Sequence, residues 1–274
     1  MLKEIFFTFN NYIKAFKFIG QNKLNKFYFI PGIINIILIT SFYFLSKFVG
    51  GALVEFSHKL LGGDLNSFAQ FILKFVIYLS IFAIYYLVYK TLILMALSPF
   101  LSYMSEKTES VLTGKEFNFS IKDNLYFIKR GIIVTGKSFL RELLMTCIIL
   151  LLFFIPIANT AVPILLFIVQ SYYIGFSFID YTLERHDFQI GTDVIRKNTI
   201  FFLINGALFT ILLFIPVIGI FVAPMVTVVA TTIGTLELIK ISRKEEKIRQ
   251  EKAKKAEEEE REKEKEEKEK KASE

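Results

Sequence analysis

Twenty consecutive residues, Phe27 to Ser46, carry no charge. As a helix this run is about 30 Å long, enough to cross the hydrocarbon of a bilayer. A second run, Phe75 to Leu97, is interrupted only by Lys90. That lysine lies seven residues from the end of the run, within reach of the interface by snorkelling, and a buried place on an ion path is the alternative.

Two further apolar blocks, 143–179 and 200–239, are each broken by a pair of prolines. The first holds Pro156 and Pro163 around Asn159, the second Pro216 and Pro224 around Gly219. Proline removes a helical hydrogen bond and clashes with the preceding turn. The arm 143–155 has 13 residues, about 20 Å, too short to span. Each block therefore reads as a helical hairpin that penetrates the bilayer and returns to the same side. One kinked span followed by an interfacial helix is the alternative.

Composition agrees. Residues 240–274 hold 14 Lys/Arg and 13 Asp/Glu, so this tail accounts for only one unit of the chain's +7. The remaining body is about 59% hydrophobic, above the roughly 45–50% of soluble domains, which excludes an ordinary soluble enzyme. The expected fold is an all-α integral membrane protein. It has a membrane domain over 1–239, with two full spans, two partly penetrating hairpins and amphipathic interfacial helices. The tail 240–274 reads as a solvated helix with i,i+4 ion pairs, and it lacks the apolar stripe of a coiled coil.

The N-terminus does not read as a signal peptide. Ile5, Phe9, Tyr12, Phe16 and Ile19 recur at helical spacing with lysines between them, which predicts a helix lying in the interface. Five lysines in 1–26 and seven Lys/Arg in 98–142, against three in 47–74, place both termini in the cytoplasm by the positive-inside rule. The same short loops account for the basic surplus without a nucleic-acid partner.

No catalytic spacing motif, HExxH or nucleotide-binding glycine loop is present. With one cysteine, Cys147, and two histidines, His58 and His186, neither a metal centre nor another cofactor is expected, and the chain does not read as an enzyme. The unusual chemistry lies in the backbone. Pro31, Pro163 and Pro224 each begin an apolar run, and proline is favoured at a helix start. Helix N-termini held at membrane depth present free N–H groups that suit an anion. Equally, the prolines can simply permit turns whose polar groups neighbours satisfy. Asn35 lies one turn into the first span, near Lys23 and Lys26, where it can serve an oxyanion or bond to a neighbouring helix. Asp180, Tyr181 and His186 follow the first hairpin and suit either a gate or a tie between a loop and a helix end.

Four stretches in order resemble one family: Phe29-Ile30-Pro31-Gly32-Ile33-Ile34-Asn35; Ser98-Pro99-Phe100 with Glu106, Glu109 and Leu112-Thr113-Gly114; Phe154-Ile155-Pro156 and Val162-Pro163 with Asp180-Tyr181 and His186; and Asn205-Gly206-Ala207-Leu208 with Ile215-Pro216 and Ala223-Pro224. The chain resembles the CysZ-type sulfate permeases of the etoposide-induced-protein superfamily over roughly residues 1–240. The resemblance implies an inner-membrane homo-oligomer, a dimer or higher, that takes up sulfate for cysteine synthesis. It carries the sulfate contacts onto Asn25, Lys26, Gly32 and Asn35. Where the family pattern has two adjacent arginines, this chain has Asn25-Lys26. A membrane scaffold of the same fold that transports nothing is the second function class.

Overall fold

The computed structural model describes residues 2–60, 66–115, 121–155, 157–215 and 218–272. Pro156 and Pro216, two of the expected turn residues, lie outside these, as does the side chain of Lys90. Every regular element among the described residues is helical. The helices are α1 (Leu2–Gln21), α2 (Phe29–Leu60), α3 (Ser67–Thr113), α4 (Ile121–Leu151), α5 (Val162–Leu183), α6 (Phe188–Lys197), α7 (Thr199–Leu213) and α8 (Ile218–Ala272). A 3-10 segment, Leu24–Tyr28, leads directly into α2.

Three stretches are long and apolar enough to cross a membrane: Leu24–Leu60, Ala158–Leu183 and Ile218–Lys252. A fourth arises if α6 and α7, which meet at a 75° bend, count as one broken span. The expected run 27–46 lies in the first stretch, and 75–97 lies within the 47-residue α3. α3 begins on an Asn66 cap, whose side chain accepts from the Ala69 N–H, and ends at Gly114, whose φ of 69° is the left-handed geometry glycine tolerates.

The first half of α8 is the centre of the molecule, with Met225, Val226, Val228, Val229 and Ala230 fully buried. Around it pack α1, α3, α5 and α7. α5 and α7 run antiparallel in backbone contact. A Cβ built on Gly175 would lie 1.9 Å from the Phe202 carbonyl oxygen, and one on Gly206 would lie 1.7 Å from that of Ser171. Only glycine permits this approach. α2 and α3 pair at the periphery, where Phe44, Phe48, Phe71 and Phe82 stay exposed, as expected of a surface that meets lipid tails.

Two sequence expectations change here. The stripe expected on α1 is divided: Tyr12 and Ile19 are buried, while Phe9 and Phe16 are exposed beside Phe6 and Ile13. The helix is turned because the small or compact residues Thr8, Asn11 and Ala15 let it press close to α7 and α8, with Asn11 against Gly234. Second, Pro224 lies inside α8 and does not begin it. The chain turns earlier, and the Gly219 N–H already donates to Ile215 at 2.9 Å. The helix expected over the tail is present, and it is continuous with the central helix, since α8 runs unbroken to Ala272. Pro163, by contrast, sits in the first turn of α5, and Pro31 is the third residue of α2.

Candidate functional site

At the start of the first span the chain passes through Lys23, whose φ of 55° is left-handed, before the 3-10 turn. The N–H groups a helix start leaves free therefore fall near Leu24–Lys26, earlier than Pro31. Asn25 and Lys26 are exposed there, and the Lys26 ammonium lies 5.3 Å from the centroid of the Phe27 ring. Asn35 and Gly32 are buried about two turns further on and are already engaged. The Asn35 amide donates to the Pro31 carbonyl at 2.8 Å and accepts from the Tyr89 hydroxyl of α3. A Cβ on Gly32 would meet the Phe221 ring at 1.9 Å, so this glycine admits α8. The four expected anion contacts thus divide into two exposed polar groups and two packing residues.

A larger polar site lies where α3, α4, α5 and α8 converge. On α3, Ser98, Ser102, Ser105 and Glu109 form one stripe, because the spacings of four, three and four residues repeat the helical period. From α4, Arg130 reaches Asp180 with both terminal nitrogens, at 2.9 and 3.2 Å, and Glu184 at 2.9 Å. Ser102 donates to the other oxygen of Glu184 at 2.7 Å. Arg185 donates through Nε to Glu109 Oε2 at 3.0 Å, through Nη2 to Ser105 at 2.7 Å and through Nη1 to the Tyr181 carbonyl at 2.5 Å. His186 Nε2 stands 3.0 Å from Glu109 Oε1. Beneath them Ser105, Thr182 and Thr232 form a closed triangle of hydroxyls with edges of 2.9–3.2 Å.

These charges are withdrawn from solvent: the side chains of Arg185, Glu109 and Glu184 keep only 3%, 4% and 1% of their exposure. Charges so placed persist only when paired. Burial alone would raise the Glu109 carboxyl, but His186 and Arg185 beside it hold it below the usual carboxylate range. Two arginines and His186 thus face three carboxylates in this cluster.

Of the residues expected to gate or tie, Asp180 and His186 belong to this cluster. Tyr181 is buried beside it, and its carbonyl serves Arg185. Arg130, Glu184, Arg185 and the serine stripe were not among the expected site residues. The signals available were the polar period 98, 102, 105, 109 and the charged run Glu184-Arg185-His186 closing an apolar block.

A family model described as Sulfate transporter CysZ/Etoposide-induced protein 2.4 matches residues 11–224, from α1 into α8. The chain belongs to this family, a transporter-type family, and is a helical membrane protein.

Proposed function

We propose that this family member is an inner-membrane anion permease that carries sulfate or a related oxyanion, without nucleotide hydrolysis, to supply cysteine synthesis. The match to the sulfate transporter family carries the reading. In this reading both termini face the cytoplasm, the α4–α5 and α7–α8 pairs are the partly penetrating hairpins, and the working unit is a homo-oligomer.

The arrangement of charge supports a division of labour. Asn25 and Lys26 are exposed, beside the N–H groups of a helix start, and are free to take an oxyanion. The carboxylates of the cluster at Asp180 and Glu109 are already paired with Arg130, Arg185 and His186, so it acts as the brace that fixes four helices around the path. Lysine offers a point charge where the family pattern has arginine's bidentate fork, so sulfate is held more loosely here.

Radiolabelled sulfate flux into proteoliposomes, with selenate, molybdate and chloride as competitors, tests the proposal. Saturable flux above empty liposomes is expected, and its absence overturns the reading. The continuous helix through residue 272 favours a second reading, a scaffold whose rod holds a partner. A stoichiometric partner retained by the full chain and lost without residues 240–274, with no flux, would establish it.

A further inference from the structure

A cleft of about 420 Å³ opens between α4, α5 and α6. Its α4 wall is a basic ladder of Arg130, Lys137 and Arg141. The span from 130 to 141 is about 16 Å of helix. Its floor is apolar, formed by Val134, Phe176 and Ile195. The ladder is polarised. Arg130 is committed to Asp180 and Glu184, and Asp187 adds an acidic group at the same end. Lys137 and Arg141 are exposed at the other end and have no ion-pair partner among the described residues.

Lys137 also interrupts a lipid-facing row. Ile133, Leu140 and Leu144, on the same side of α4, are 44%, 58% and 66% exposed. Two free cations are thus set beside an apolar floor and between apolar side chains that face the bilayer. A small free dianion calls for buried, convergent donors, and here the half-buried Arg130 is already paired with Asp180 and Glu184. A phosphodiester carried on acyl chains satisfies both halves: its phosphate meets Lys137 and Arg141, and its chains cover the apolar floor.

We propose that the α4–α5–α6 cleft is a binding site for the headgroup of an anionic phospholipid, held by Lys137 and Arg141. Native mass spectrometry of the full-length protein with equal amounts of dioleoyl phosphatidylglycerol and phosphatidylcholine tests it. The protein should retain phosphatidylglycerol preferentially. Each of K137Q and R141Q should weaken that lipid about fivefold, and the pair roughly thirtyfold. Equal retention of the two lipids, or an unchanged preference in the double variant, overturns the proposal. So does displacement of the lipid by sulfate or glycerol phosphate at constant ionic strength, which would identify a site for free oxyanions. If the double variant does not fold, the wild-type lipid comparison and the single variants decide. None of these outcomes depends on sulfate flux.

Discussion

Arg130 holds Asp180 through two parallel contacts of 2.9 and 3.2 Å and, from one of the same nitrogens, also holds Glu184. One guanidinium therefore pairs with two carboxylates, one in the last turn of α5 and one at its C-cap, and fixes that helix to α4. Planar bidentate pairing of this kind is the geometry for which arginine is suited and lysine is not.

Removing Arg130 leaves two carboxylates in a poorly hydrated place. Arg130→Ala should cost about 3–5 kcal/mol, the usual penalty for stripping one partner from a buried pair. Asp180→Asn should cost less, because Glu184 still engages the arginine. The midpoint of chemical unfolding in detergent, followed by monodispersity on size exclusion, gives the comparison. Equal effects of the two substitutions would contradict the asymmetric arrangement.

Glu109 gives the protein a defined acid sensitivity. His186 and Arg185 depress its carboxyl in the folded state, so the unfolded chain takes up that proton first as pH falls. Its stabilisation is complete above the unfolded value of about 4.3 and is lost as pH drops through the lower folded value. Glu109→Gln should flatten the acid limb of a stability–pH curve below about pH 4.3 and lower stability at neutral pH. An acid limb identical to wild type would show that Glu109 does not contribute it.

The crossing of α5 and α7 allows a steric test. Gly206→Ala places a methyl carbon 1.7 Å from the Ser171 carbonyl oxygen, a backbone atom that cannot swing away. The expected cost exceeds the roughly 1–3 kcal/mol of ordinary overpacking, with loss of a monodisperse peak. Gly191→Ala, where nothing lies within 4 Å, should leave the peak unchanged.

Much of this fold was legible because uncharged length and proline punctuation act locally. The run 27–46 and the breaks ahead of Pro163 and after Leu213 follow from hydrocarbon thickness and missing N–H groups, and they appear in the helices. The face α1 presents was not legible. Both of its apolar rows have helical period, and the choice between them rests on Gly234 and Asn11, 223 positions apart. Pro224 was misplaced for a similar reason: a proline marks the neighbourhood of a turn, while the first helical hydrogen bond fixes where the helix begins. In the site, Asp180 and His186 were legible as charged residues ending an apolar block. Their partners Arg130 and Glu109 come from other helices, 50 and 77 positions away, and sequence spacing carries no information about such pairs.

The start of the first span separates the transport reading from mere packing. Lys26 is exposed and makes no ion pair among the described residues, while Asn35 is locked between Pro31 and Tyr89. Lys26→Ala should therefore lower sulfate flux about tenfold or more, the loss of one charge-assisted contact, with unfolding unchanged. Lys26→Arg should restore or raise flux, since the fork adds a second donor to the oxyanion. Asn35→Ala should act in the opposite sense, lowering stability by about 1–2 kcal/mol through the stranded Tyr89 hydroxyl. Flux and unfolding measured on the same three preparations decide the matter. If Lys26→Ala changes stability and leaves flux intact, the anion is recognised elsewhere.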